Sequence, residues 1–364
     1  MANEQTVSPT VEWDFGTAYE LFISLHVLHN TEYFGIRASW AAGVRSRIPS
    51  AERKLLEDIF PFFGVPMNWL HSLPAPKDAI SALWTLKQLP PAERMPTLLR
   101  LEEDCASDGS PEAEQKRLAC ETLKRIARDG AWTAADADLF QKMWSKESHP
   151  QKRESLERVL DWWSRPTELG ELALSALQSY YQAFFEDEEK RVTPLLQAGL
   201  RRAKELAASL TVDELFHELS QGVQMGEEFR AAKYIFVPAF WTTPLILYEK
   251  LDADTMLITF GARPADVSVI PGETLPDGLV RSLKALADPT RLKILAYLSH
   301  ESLTPSELAR RLQLRAPTVT HHLSDLRLAS LVDLSMEHGD KRYSIRKEGL
   351  DSTFANLTNF LESK

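Results

Sequence analysis

Two adjacent histidines, His321 and His322, stand in the stretch RAPTVTHHLSDL (residues 315–326), with the hydroxyl side chains Thr318, Thr320 and Ser324 around them. Imidazoles ligate metals, shuttle protons or hydrogen-bond to other polar groups. On a helix, neighbouring residues diverge by about 100°, so adjacent histidines do not converge on one ion. With Val319 set at 0°, Leu323 and Leu326 fall within about 40° of it and make a stripe predicted to be buried. His322 lies on the edge of that stripe. His321 and Ser324 point away from it, and Thr318 and Thr320 flank them. A small polar face with one imidazole has the chemistry to enter a major groove and hydrogen-bond to base edges. Thr318, Thr320, His321 and Ser324 are therefore the candidate base-reading residues.

Other groups invite chemical readings that the sequence does not develop. His26 and His29 are three apart on a predicted helix, near Glu20 and Glu32. The spacing suits a shared metal, but a bare pair reads as structural, and no metal site or cofactor is expected. The run EDEEK (residues 186–190) reads as a solvated helix face. Cys105 and Cys120 are the two cysteines; they make no disulfide framework, and nothing marks either as a reactive thiolate. Phosphate-binding glycine loops, nucleophile elbows and zinc-protease helices are absent from the sequence, so no catalytic residue is assigned.

The elements that must position the polar face are local and well signalled. LVRSLKALADPTRLKILAYLSH predicts two helices, with Asp288 as N-cap and Pro289 in the first helical position. LTPSELARRLQL opens with Thr304 and Glu307 in capping-box spacing, and a turn of three residues, QLR, joins it to the next helix. Two short helices so joined make a helix-turn-helix. LVDLSM and KRYSIR then alternate as a hairpin around EHGD. Its cations make it a wing, so His338, Lys341 and Arg342 are candidate wing or phosphate contacts, and Arg315, at the start of the preceding helix, is a further candidate phosphate contact. The final segment places Phe354, Leu357, Phe360 and Leu361 on one face of a helix, expected to pair with the first helix of this domain across a dimer.

The rest of the chain reads as helical from residue 11 to about 231, with a break or kink expected at Pro194. Thr211 and Glu214 predict a capping box, and Gly130 a helix end. YIFVPAFW, TPLILYEKL and TMLITFGA predict two or three strands of a small antiparallel sheet. The nine tryptophans all precede residue 263; Trp162 and Trp163 read as core. GARPADVSVIPGETLPDG has the composition of a linker. The expected organisation is an N-terminal mostly helical domain (1–262), a linker (263–278) and a winged helix-turn-helix domain (279–364), mainly α with an α+β character. Net charge is −10, but residues 279–364 carry 13 Lys+Arg against 10 Asp+Glu. An acidic body on a mildly basic tail permits nucleic-acid contact at the C-terminal end and argues against it elsewhere. No run of about 18 apolar residues and no secretory start is present, so no membrane span is expected and the cytoplasm is the expected compartment.

Residues 279–362 resemble the winged-helix domain of the arsenic-repressor (ArsR) family of bacterial transcriptional regulators. LKALADPTRLKILAYL, SELARRLQL, PTVTHHLSDL and KRYSI carry the resemblance, in the family's order and spacing. It implies a homodimer binding an inverted-repeat operator in double-stranded DNA, as a repressor released by an effector. The family's metal-sensing members carry a Cys-x-Cys motif on the helix here reading SELARRL, or histidines on the final helix; both are missing, so metal sensing by this domain is not expected. Arg315 stands where many members place a serine cap, and Ser330 where a glycine is common. The N-terminal region also looks like the domain fused to some members of the family, with dimer-building and small-molecule sensing as its expected roles. The alternatives are an enzyme, or a protein-interaction module, carrying an autoregulatory winged-helix tail.

Overall fold

The computed structural model describes residues 9–60, 62–101, 111–144, 152–337 and 339–362; Cys105 and His338 lie outside them. By contact the chain divides into two compact units, residues 16–189, and residues 1–15 with 190–364.

The first unit is helical: α1 (Thr17–His29), α2 (Thr31–Phe34), α3 (Ala38–Arg45), α4 (Ser50–Ile59), α5 (Met67–Ser72), α6 (Ala79–Gln88), α7 (Pro91–Leu98), α8 (Pro111–Asp129), α9 (Ala134–Trp144), α10 (Arg153–Trp163) and α11 (Pro166–Tyr180). A helix that is apolar all round belongs inside, and α1 encloses Tyr19, Leu21, Ile23, Leu25 and Leu28 completely. Gly130 ends α8 with φ +68, in the left-handed region that glycine enters freely. Trp163 is core, its indole N–H donating to Leu123 O at 2.9 Å, and Trp162 donates to Asp58 at 3.2 Å.

Two expectations fail in the helical region that follows α11. The long helical region does not break at Pro194: α12 (Glu186–Ala207) runs through it, and the irregularity is a π-helical turn at Tyr181–Phe185. The run EDEEK is not a solvated face throughout. Consecutive helical residues spread round all sides, so not all four carboxylates can face solvent; Glu188 is buried, and Glu189 accepts hydrogen bonds from Thr17, from Ala79 N and from Tyr181. Glu20, Ser24 and Tyr180 are also buried, with Ser24 Oγ 2.8 Å from the Tyr180 hydroxyl. Burial, with Glu188 and Glu20 nearby, raises the Tyr180 pKa well above its ordinary value, so the phenol stays protonated.

His26 and His29 are packed rings. His29 stacks on Phe60 and donates from Nδ1 to Leu25 O at 2.8 Å, and His26 meets Phe34 edge-on. Burial lowers both pKa values to about 4, which holds both rings neutral. No His, Cys, Asp or Glu cluster able to hold a metal occurs among the described residues, and no helix among them is long and apolar enough to cross a membrane.

In the second unit, the sheet has strand order β1 (Thr10–Trp13), β2 (Lys233–Ala239), β4 (Thr255–Gly261) and β3 (Tyr248–Lys250). The expected antiparallel pairing holds for β3 with β4, whereas β1–β2 and β2–β4 are parallel. β2 and β4 are continuous buried runs rather than alternating ones, which suits parallel strands covered on both faces. β1 is the correction to a chain read as helical from residue 11. α12 and α13 (Val212–Leu219) cover the sheet, with Ala203, Leu215 and Phe216 packed on Tyr234, Phe236 and Phe260. The capping box at Thr211 and Glu214 forms as expected. Residues 263–276 have no regular structure, but they are pinned: Val269 and Ile270 are buried, and Arg191 donates to the carbonyls of Ser268 and Val269.

Candidate nucleic-acid interface

Five helices and a hairpin complete the second unit: α14 (Asp277–Leu286), α15 (Pro289–Leu298), α16 (Pro305–Leu312), α17 (Ala316–Leu328), β5 (Val332–Glu337), β6 (Asp340–Ile345) and α18 (Lys347–Glu362). Each start follows from its capping residue. Asp288 accepts from the amides of Thr290 and Arg291 at 2.8 and 2.9 Å, and Thr304 and Glu307 close a full capping box. Gln313 takes the left-handed conformation that ends α16 and turns the chain into α17. Arg315 is the N-cap of α17 and makes no side-chain cap bond, as its lack of an acceptor dictates.

The buried stripe on α17 is the expected one. Val319, Leu323 and Leu326 are fully enclosed by Ile294, Leu298, Leu303 and Leu308, each contributing about 1.5–3 kcal/mol of burial. The opposite face carries Thr318, Thr320, His321 and Ser324, all exposed. Thr320 donates its hydroxyl to Ala316 O at 3.1 Å, which leaves the oxygen as an acceptor. The two histidine rings stand 6.3 Å apart between centroids. His321 is in solvent, 3.8 Å from Asp325 across one turn; His322 is half-buried with Nδ1 enclosed and unpartnered among the described residues.

β5 and β6 form the wing, with Gly339 at φ +85 in its turn. Arg315 and Lys341 are exposed. Arg342 is differently placed: it donates to Ser302 O at 2.8 Å and lies 3.3 Å from Glu337 and 3.6 Å from Glu307. The wing is held at both edges. Leu303 exchanges two backbone hydrogen bonds of 2.9 Å with Tyr343 of β6. On the other side Val223 bridges Leu334 of β5 in parallel, through Leu334 N to Gly222 O at 2.7 Å and Gln224 N to Leu334 O at 2.8 Å.

Three positioning residues escaped the sequence reading. Arg291 binds Asp325 of α17 while donating to the carbonyls of Ala285 and Lys284, so one guanidinium ties α14 and α17 to α15. Arg327 is buried and donates to Gln221 O at 2.9 Å and Ser220 O at 2.7 Å. The angular reading contained its signal, since Arg327 falls at about 80°, on the margin of the apolar stripe, where a cation needs partners. Asp333 accepts from His217 at 3.2 Å, and this partner raises the histidine pKa above its usual 6.5. Ser330, in the glycine-like position, keeps the left-handed conformation at φ +56.

A helix-turn-helix domain family matches residues 286–335. The transcriptional repressor SdpR of Bacillus subtilis is 30% identical over 78 residues, 21% of this chain and 87% of that protein. The arsenical resistance operon repressor of Staphylococcus xylosus is 36% identical over 75 residues, 21% of this chain and 72% of that protein. The regulator CmtR of Mycobacterium tuberculosis is 36% identical over 85 residues, 23% of this chain and 72% of that protein. The solved structure of NolR from Sinorhizobium fredii is similar over 23% of this chain and 83% of that chain, at 28% identity and a TM-score of 0.20, too low for a structural argument.

Proposed function

The chain belongs to the ArsR family of helix-turn-helix transcriptional regulators, and from that premise we propose that it is a repressor acting as a homodimer on an inverted-repeat operator. The observation that carries this reading is the outer face of α17, where Thr318, Thr320, His321 and Ser324 are exposed on a helix anchored by three enclosed apolar residues. Such a helix presents hydrogen-bonding groups to a major groove in fixed register. In this reading those four side chains read bases. Arg315 and Lys341 contact phosphates from either side of them. Arg342 acts chiefly by holding the wing against α16, and His338, outside the described residues, is a further candidate phosphate contact. The dimer forms through α14 and α18, where Phe354 and Leu361 are 58% and 66% exposed. An effector bound outside α17 modulates operator affinity, and the chain works in the cytoplasm as a regulator rather than an enzyme.

The test is binding of the full chain to its own upstream promoter and to random DNA across a salt series. Tighter binding to the promoter, with affinity falling as salt rises, is expected. Equal weak binding to both sequences would overturn the assignment for that promoter.

A further inference from the structure

We propose that a cleft within the second unit, between its sheet-bearing part and its winged helix, binds a small organic anion: an apolar body carrying a carboxylate or a phosphate. The cleft measures about 430 Å3, within the range of small-molecule sites. Four arginines line it, Arg202, Arg263, Arg281 and Arg346, against one carboxylate, Glu218. In a chain of net charge −10 that concentration of cations is local and specific.

Three of the four arginines are held by the protein, whereas Arg202 is 74% exposed and 3.8 Å from Glu218. Arg263 donates to Thr243 O at 2.7 Å and lies over the Phe240 ring. Arg281 donates to Leu328 O at 3.2 Å. Arg346 is the most informative: its side chain is 12% exposed, and its Nε is buried with no hydrogen-bond acceptor among the described residues, Asp333 standing 3.8 Å away and engaged with His217. A buried guanidinium N–H without an acceptor is costly, and an anionic oxygen would remove the cost. Leu195, Leu206 and Phe260 supply apolar wall for the rest of such a ligand.

The position gives the site a consequence. Its lining includes Leu328, Ala329 and Ser330, where α17 ends, and Ser352 and Asn356 on α18. An occupant that fills the cleft would meet both the end of the base-reading helix and the helix assigned to the dimer. The inference rests on the regulator reading only for this effector role; binding itself is tested without DNA.

Benzoate and phenyl phosphate, the carboxylate and phosphate probes, are titrated calorimetrically into the full chain, with phenol as the neutral control. Saturable binding of at least one anion, and none of phenol, is expected. Arg346→Gln, and Ser352→Trp, which fills the cleft from an exposed helix position without changing charge, should each weaken binding by about tenfold or more, the loss of one charge-assisted hydrogen bond or of the space. The proposal is overturned if neither anion binds, or if a bound anion binds both folded variants as it does wild type. Operator affinity is then measured with and without the bound anion. A change supports the effector role, and an unchanged affinity overturns that role while leaving the DNA-binding assignment standing.

Discussion

Arg327→Met tests how the recognition helix is held to the rest of its unit. Methionine keeps most of the apolar stem that the arginine buries, so the change removes chiefly the guanidinium's bonds to Ser220 O and Gln221 O, at 2.7 and 2.9 Å. Hydrogen bonds to a charged group contribute about 1.5–3 kcal/mol each, and the stranded carbonyls add to the loss, so the junction should weaken by about 3 kcal/mol or more. The amides of Leu334 and Gln224 report on that junction directly, because each is bonded across it. Native-state hydrogen exchange at these two amides should accelerate by about a hundredfold, since 1.4 kcal/mol is a factor of ten. Amides inside α15, bonded within their own helix, should change far less. Acceleration below about threefold at both amides would refute the claim that Arg327 carries this junction, whatever happens to overall stability.

Four further outcomes are expected. His321→Ala should weaken operator binding by about 1–3 kcal/mol and leave random DNA nearly untouched; equal losses on both would exclude base reading by this residue. Lys341→Ala should weaken all sequences alike and reduce the salt slope by about 1, measured by titration at several salt concentrations. The folded pKa of His217 is raised, so the stability it contributes is full below about pH 6.5 and is lost as pH rises through the higher folded value. Asp333→Asn should therefore flatten the fall in denaturation midpoint from acidic to alkaline pH, and an unchanged fall would remove the pair from the account. His26 and His29 have folded pKa values of about 4, so protons favour the unfolded chain as pH drops from 6.5 towards 4. Each should cost up to about 1.4 kcal/mol per pH unit there, and His29→Gln should reduce that slope in urea denaturation.

What could be read from the sequence was what local chemistry decides. The starts of α15 and α16 follow from Asp288 and Thr304 because a cap bonds only two or three residues ahead. The orientation of α17 follows from helical geometry applied to three apolar residues. Non-local pairing left weaker traces. β1 is four residues long, and its partner strand lies more than 200 residues away, so nothing near TVEW announces a strand. Pro194 signals a break by itself, yet α12 continues through it. Glu189 turns towards Thr17 and Ala79, which lie on other helices. At the interface the type and exposure of the four polar residues were readable, whereas the guanidinium ties of Arg291 and Arg327 needed the tertiary structure.

Each edge of the wing hairpin carries one backbone bridge, Leu303 to Tyr343 of β6 and Val223 to Leu334 of β5. An uncovered strand edge is a template for pairing with another chain, and small sheets are usually protected against it. Half of that protection comes from residues 222–224, more than fifty positions before the helices of the DNA-binding part begin. The winged helix of this chain is thus tied by backbone bonds to residues outside it. A fragment cut within 263–278 would keep the candidate DNA-facing residues and lose the bridge on the β5 edge, leaving that edge open to strand-to-strand association. Joining the same fragment to another domain would require that domain to supply a covering segment of its own.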